Sequence, residues 1–150
     1  MPTEVNFYHL TKSSLEQAQP RLLEKTQQAG ERAVVLVGSP ERVDALNTHL
    51  WTCDPNGFLP HGSQRDGEAD RQPVWLTHLD ENPNGAAFLF VADRASSDKV
   101  GDYKRCFELF DGRDEEAVAQ TRERWKAYKA AGHTVVYWQQ NAGGGWEKKA

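Results

Sequence analysis

The 150-residue sequence has few cysteines, no long apolar run and no excess of positive charge. Two cysteines, Cys53 and Cys106, are too few for a disulfide framework and indicate free thiols in a reducing compartment. No apolar run reaches about 18 residues and no charged-then-apolar leader opens the chain, so we expect a soluble, cytoplasmic protein with no membrane partner. The formal net charge of -4 disfavours wrapping of DNA or RNA, and we expect no direct sequence-specific nucleic-acid binding.

The sequence also lacks the motifs of nucleotide binding and of catalysis. The first predicted strand is followed by residues 11–14 without a glycine, and the second by residues 38–41, which match no phosphate-binding loop. Ser39 lies at a strand-to-helix turn, but the flanking glycines of a nucleophile elbow are absent. His49 and Cys53 share a helical face, yet zinc needs two or three more ligands. We therefore expect no catalytic residue, no metal site and no cofactor.

Strand-like and helix-like segments alternate along the chain. Alternating or continuously apolar runs predict strands at 4–10, 32–38, 73–77, 86–92, 106–110 and 133–139. Caps and apolar periodicity predict helices from residue 13 or 14 to 29, at 40–52 and at 114–131, with a shorter helix at 97–103. This order favours an α/β sandwich with a largely parallel sheet.

The length predicts a single domain over residues 1–150. Within it, the polar, glycine-bearing segment 62–72 is predicted to be a mobile surface loop. Residues 141–150 contain three consecutive glycines and are predicted to form a loose C-terminal tail, in which Trp146 is the residue able to dock.

A basic and aromatic stripe stands out on the last predicted helix. At about 100° per residue, the side chains of Arg122, Trp125, Lys126 and Lys129 fall within one arc of roughly 100°, which Val118 shares. A cationic arc with an indole at its centre suits a short peptide that carries carboxylates and a bulky apolar end group.

A solvated helix face is the simpler interpretation of this stripe, because Lys and Arg stems often cover the edge of a core. Two details favour a binding surface instead. Trp125 lies on the charged arc, and Glu123, which could neutralise that arc, points about 100° away from it. The opposite helix face is predicted to meet the sheet through Ala117, Thr121, Tyr128 and Ala131.

Three segments together resemble a known family. They are the opening strand Asn6-Phe7-Tyr8, residues 45–61 (ALNTHLWTCDPNGFLPH) and residues 122–132 (RERWKAYKAAG). The second is similar to a family helix that ends in Leu-Trp before a Phe-x-Pro-His turn, and the third to Arg-Glu-Arg-Tyr-Lys-Ala-Tyr-Arg-x-Ala-Gly. The chain resembles the chi subunit of the bacterial DNA polymerase III holoenzyme.

The resemblance implies a Rossmann-like three-layer sandwich without a nucleotide site. It also implies a non-catalytic replication adaptor, an accessory subunit of a DNA-directed DNA polymerase. In that family the chi subunit binds the C-terminal tail of single-stranded DNA-binding protein, which is acidic and ends in a phenylalanine carboxylate. It also binds the psi subunit, which links it to the clamp loader.

Position by position, the resemblance assigns a tail-binding site. Arg122 matches the family arginine that holds the tail, and it would pair with the terminal carboxylate. Trp125 stands where the family often has tyrosine. With Trp51 and Phe58, which match apolar residues of the family site, it would enclose the terminal ring.

Two lysines would extend this site toward the acidic part of the tail. Lys126 matches a family lysine, and Lys129 lies one turn further along the helix, so both would attract the preceding aspartates. Val118 stands where the family can carry a further lysine, which predicts weaker holding of the acidic part. Two other functions stay open: a small hydrolase or nucleotide-processing enzyme on the same scaffold, and a structural subunit whose stripe binds a protein helix.

Overall fold

The computed structural model of the protein describes residues 3–11, 15–52, 61–63, 71–92, 95, 97, 99–141 and 146–149. Eight strands and three helices lie within these residues. The strands are β1 (Glu4–Leu10), β2 (Ala33–Leu36), β3 (Gly62–Ser63), β4 (Val74–Thr77), β5 (Phe88–Val91), β6 (Arg105–Asp111), β7 (Thr134–Gln140) and β8 (Trp146–Lys148). The helices are α1 (Leu15–Gln28), α2 (Pro40–Thr52) and α3 (Glu115–Ala130).

All eight of these strands belong to one sheet, in the order β3-β4-β2-β5-β6-β1-β7-β8. Neighbouring strands run parallel except for β8, which is antiparallel to β7. The predicted α/β class with a largely parallel sheet is confirmed. β1 lies between β6 and β7, so Phe7 has Glu108 and Tyr137 as its register partners.

The core lies on both faces of this sheet, as the continuously apolar strands predict. All four residues of β2 are buried, and their side chains alternate between the two faces. Val35 packs in one cluster with Leu23 of α1 and Leu46 of α2. Val34 packs in the other cluster, with Ala117 of α3. Helices therefore cover opposite faces of the sheet in a three-layer arrangement.

Some predicted boundaries differ from the structure. The predicted helix at 97–103 is only a 3-10 turn, Val100–Asp102. The strand predicted at 86–92 is shorter, and Phe88–Val91 are its paired residues. The first helix continues through Pro20, while its predicted serine caps at 13 and 14 lie outside the described residues.

The predicted mobile loop at 62–72 is wrong at its first two residues. Gly62 and Ser63 are buried and form β3, paired with Trp75 and Leu76 of β4. The amide end of the Gln72 side chain packs close to Gly62, where a Cβ would lie 2.6 Å from it. Residues 64–70 lie outside the described residues.

The prediction of a loose tail at 141–150 is wrong for residues 146–148. Trp146–Lys148 form β8, in which Trp146 pairs with Gln140 of β7. The Trp146 ring also packs edge-on against Tyr8, with 5.0 Å between ring centroids. Ring burial and strand pairing thus hold this segment on the sheet. Residues 142–145 and 150 lie outside the described residues.

Candidate functional site

Helix α3 carries the predicted stripe, and both of its ends are defined as the sequence predicts. The Asp114 carboxylate accepts hydrogen bonds from the amides of Glu116 and Ala117, at 3.1 and 3.3 Å. Gly132 adopts φ 89° just beyond the helix, and its amide donates to the Lys129 carbonyl at 3.2 Å. These caps fix where the helix begins and ends, and so which of its side chains face the sheet.

A hollow of about 370 Å³ lies between α3 and the strands β6 and β7. Three of the predicted tail-binding residues line it: Arg122, Trp125 and Lys126. The other described residues that line it are Phe110, Val118, Thr121 and Tyr137, and most of the exposed lining is apolar. We call this cavity the α3 hollow. The structure thus brings together one arginine, one lysine and an aromatic wall.

Aromatic rings form the floor and one wall of the α3 hollow. Phe110 of β6 and Tyr137 of β7 have ring centroids 6.2 Å apart. The Trp125 ring packs against Tyr137 with centroids 6.0 Å apart, and against Phe7 at 5.6 Å. Trp125 is therefore half-buried and continuous with the core, and it forms a fixed wall. An apolar group entering the hollow would meet preformed ring surfaces.

The inward face of α3 is close to the prediction but ends earlier. Ala117 and Thr121 are buried, and Tyr128 is half-buried against the sheet. Ala131, also predicted to face the sheet, is exposed. It caps the end of the helix, where the chain has already begun to turn toward Gly132.

Arg122 supplies the positive charge at the α3 hollow. Its side chain is exposed and forms no ion pair with any of the residues that the structure describes. Burial raises the pKa of the Tyr137 hydroxyl, while the nearby Arg122 guanidinium acts in the opposite direction. The guanidinium is therefore close enough to the Tyr137 hydroxyl to interact with it electrostatically.

The two predicted lysines are placed differently from each other. Lys126 lines the hollow, but its Nζ lies 3.7 Å from Oε1 of Glu123, in a pair whose side chains are 73% and 77% exposed. The expectation that Glu123 leaves the arc unneutralised is thus wrong for Lys126. Lys129 does not line the hollow. Its Nζ lies 5.9 Å from the centre of the Trp125 ring, in a cation–π contact.

Two further predicted site residues, Trp51 and Phe58, cannot be placed around the α3 hollow. Trp51 belongs to the last turn of α2, and its side chain lies outside the described residues. Phe58 lies outside the described residues altogether. Their assignment to the tail-binding site stays a prediction.

The opposite side of α3 holds a buried ion pair that sequence reasoning missed. Arg124 Nε lies 2.7 Å from Oε1 of Glu108, whose side chain is 1% exposed. The contact lacks the angles of a well-directed hydrogen bond, so we describe it as an ion pair. Burial raises the pKa of Glu108 to about 7, although Arg124 and the Tyr128 hydroxyl act in the opposite direction. Cys106, fully buried beside this pair, has a thiol pKa raised by burial, as expected of an inert cysteine.

Sequence reasoning also missed Phe110, Thr121 and Tyr137 as members of the hollow. Phe110 and Tyr137 were recognised only as strand residues. The period of two along each strand was an available signal. It places each of these residues on the same face as its neighbour two positions earlier, and that face is the one that α3 covers. That signal becomes useful only when β6, β1 and β7 are known to be neighbours.

This geometry can be set against known proteins. A sequence model of the family described as DNA polymerase III chi subunit, HolC, matches residues 1–136. The chain belongs to this family. The resemblance derived from the opening strand, residues 45–61 and residues 122–132 is therefore confirmed. The matched range includes all of α3 and ends one residue before Tyr137.

A curated relative supports the same family. The chain is 29% identical over 107 residues to the probable DNA polymerase III subunit chi of Rickettsia prowazekii (strain Madrid E). The match covers 71% of this chain and 65% of that protein, so the chain spans slightly less than two thirds of the relative's length.

The described part of the chain contains neither a candidate metal centre nor a candidate membrane-spanning helix. Its histidines, cysteines and carboxylates form no group of three or more that could hold a metal ion. None of its helices has the length and apolar character needed to cross a membrane.

Proposed function

We propose that the protein is a non-catalytic replication adaptor that binds the acidic C-terminal tail of single-stranded DNA-binding protein in the α3 hollow. The observation that carries this proposal is the convergence of Arg122, Trp125 and Lys126 on one apolar-walled cavity. Membership in the DNA polymerase III chi-subunit family supports an accessory role over the hydrolase or nucleotide-processing alternative.

The chemistry of the hollow matches the chemistry of such a tail. A terminal phenyl ring gains from burial against Phe110, Trp125 and Tyr137, whose ring surfaces are already in place. The terminal carboxylate would then lie near Arg122, whose forked guanidinium can bind both carboxylate oxygens. Lys126 adds positive charge at the rim for the preceding acidic residues, and Lys129 contributes at longer range.

A contact of this size is weak on its own. A single tail bound with micromolar affinity gains about 8 kcal/mol, which suits a small interface. Many tails on one strand of coated DNA would raise the overall affinity without any new contact. The apolar side chain of Val118 on the hollow, in place of a further lysine, favours the weak end of this range.

The second half of the proposed role is a link to the clamp loader through a psi subunit. This partner rests on family membership, and we assign it no surface on the chain. Co-expression with the psi subunit of the same replicase, followed by size-exclusion chromatography, tests it. The link is supported by co-elution of the two chains at equal stoichiometry, and separate elution at micromolar concentration contradicts it.

Titration with full-length single-stranded DNA-binding protein, and with the same protein lacking its tail, tests the adaptor proposal. We expect binding of the first and loss of binding with the second. A synthetic tail peptide should bind, and the same peptide without its terminal phenylalanine should bind at least about tenfold more weakly, because the ring is then not buried. Equal binding of the two peptides would contradict the proposal and favour a surface that recognises a protein helix.

A further inference from the structure

The floor of the α3 hollow contains a hydroxyl whose hydrogen-bond partner lies on the neighbouring strand β1. Tyr137 lines the hollow, and its hydroxyl is hydrogen-bonded to Nδ1 of His9, near the carboxyl end of β1. The two rings also meet edge to face, with centroids 5.9 Å apart. The orientation of the Tyr137 hydroxyl therefore depends on the imidazole of His9.

Packing holds that imidazole in place. Its ring lies 5.0 Å from the Phe110 ring, centroid to centroid. On the other side it presses against the backbone of Gly112, where an added Cβ would lie 1.7 Å from Nε2 of His9. Only glycine at 112 leaves room for this placement. The ring thus lies between Phe110, Gly112 and Tyr137, which hold it next to the hydroxyl.

We propose that His9 is a positioning residue of the tail-binding site, which sets whether the Tyr137 hydroxyl donates or accepts a hydrogen bond inside the α3 hollow. This inference rests on the proposed function. In it, the ligand group that meets the hydroxyl is the terminal carboxylate of the peptide.

Proton counting gives the mechanism. A hydroxyl has one proton, so when Nδ1 of His9 accepts it, the Tyr137 oxygen offers only lone pairs to the hollow. When Nδ1 of His9 carries a proton, as it does in one neutral tautomer and always in the imidazolium, that N–H donates to the Tyr137 oxygen, and the hydroxyl proton is free to point into the hollow. A carboxylate accepts hydrogen bonds and donates none, so it requires the second arrangement.

The charges around His9 fit such a role. Burial lowers the pKa of His9, and the Asp111 carboxylate at the end of β6 acts in the opposite direction. That carboxylate is itself paired with Arg113, at 2.9 Å. From α3, Arg122 acts on Tyr137. A carboxylate bound beside Arg122 adds negative charge, so ligand binding and protonation of His9 favour each other.

The test is the pH dependence of tail-peptide affinity, measured by calorimetry between about pH 8 and about pH 5.5, where the peptide carboxylates stay ionised. We expect the wild-type protein to bind about three- to tenfold more tightly at the lower pH, the size expected if binding raises the pKa of His9 by up to about one unit. His9→Asn should remove this increase, and Tyr137→Phe should reduce it, because only the direct charge interaction between His9 and the bound carboxylate is then left. The first variant puts a carboxamide, which does not titrate, in place of the imidazole, and the second lacks the hydroxyl.

Two features of the design separate positioning from general effects of pH. Both variants keep Glu108, which titrates in the same range, so any contribution from that residue persists in them. His78→Asn, at a half-buried histidine that does not line the hollow, serves as the control and should keep the wild-type increase.

Nuclear magnetic resonance of the imidazoles gives an independent measurement. Addition of the tail peptide should raise the pKa of His9 more in the wild-type protein than in Tyr137→Phe, where only the charge of the carboxylate acts on it. The inference is overturned if wild-type protein binds the peptide with a pH dependence that both variants share, while the proposed function then stands. Failure of wild-type protein to bind the peptide at any pH overturns both.

Discussion

Two arginines on the same helix, Arg122 and Arg124, meet opposite surroundings. Arg122 points to the rim of the α3 hollow, is exposed, and forms no ion pair within the described residues. Arg124 points inward, is 20% exposed, and pairs with the buried carboxylate of Glu108. Two residues of helix separate them by about 200°, which places them on opposite faces.

The difference shows that residue type and spacing do not decide what a basic residue does. The strand beneath α3 decides it. β6 offers Glu108 to the inward arginine and the apolar ring of Phe110 to the hollow beside the outward one. Arg124 is thus a structural residue and Arg122 a candidate ligand-binding residue, and each assignment can be tested separately.

Removal of the buried acid should have the largest effect. Glu108→Ala leaves Arg124 without its partner and should lower the free energy of unfolding by about 3 to 5 kcal/mol. Urea denaturation followed by circular dichroism measures this. As control, Glu4→Ala removes an exposed pair with Arg105 at 3.2 Å and should cost less than about 1 kcal/mol. Equal losses in the two variants would refute a distinct role for the inward pair.

The buried acid should also make stability depend on pH. The pKa of Glu108 is raised to about 7 in the folded protein, above its value of 4.5 in the unfolded chain. Between these two values the folded state holds a proton that the unfolded state has released, so rising pH favours unfolding. This contribution is complete at low pH and is lost by about pH 7, with a total on the order of 3 kcal/mol.

Denaturation at a series of pH values isolates that contribution. Glu108→Gln cannot titrate, so the difference in unfolding free energy between wild type and variant should change by that amount across the interval. A constant difference would show that the carboxyl does not hold the extra proton in the folded state.

The outward arginine should affect binding and not stability. Arg122→Ala should weaken tail-peptide binding by about 2 kcal/mol, or roughly 30-fold, by removing a charged hydrogen-bonding partner. Its free energy of unfolding should change by less than about 0.5 kcal/mol. Calorimetry and urea denaturation of the same preparation measure both, with Arg21→Ala on the exposed surface of α1 as the matched control. Wild-type affinity in Arg122→Ala would contradict the assigned site.

The smallest effect is expected at Lys126. This side chain is 73% exposed and forms an ion pair with Glu123. Lys126→Ala should therefore weaken tail binding by only about 0.5 kcal/mol, and this difference should shrink as salt is added. Peptide titrations at low and at physiological salt measure it. A loss as large as that of Arg122→Ala, independent of salt, would show that Lys126 contacts the ligand directly.

The comparison of the two arginines also explains what the sequence could and could not predict of the site. Helical periodicity placed Arg122, Trp125 and Lys126 together because that geometry is local. The partners from the sheet, Phe110 and Tyr137, come from strands separated in the sheet by β1, and strand order cannot be read from local pattern. The ion pair of Arg124 was not predicted for the same reason, because its partner lies on a strand of the sheet.

The fold shows the same division. The central strands were predicted well because β2 and β5 are apolar on both faces and need no partner to be recognised. The short strands β3 and β8 were predicted as loop and tail, since neither is apolar enough to be recognised alone. Their structure comes from long-range pairing with β4 and β7.

Strand β8 also covers the edge of β7, which could otherwise pair with a strand of another copy of the chain. The β-branched and aromatic segment of β7 would otherwise offer open backbone groups to any extended chain nearby. β8 occupies those groups along Trp138–Gln140 and turns Glu147 and Lys148 toward water. A chain shortened to end at Asn141 should therefore self-associate in concentrated solution before it loses helix content.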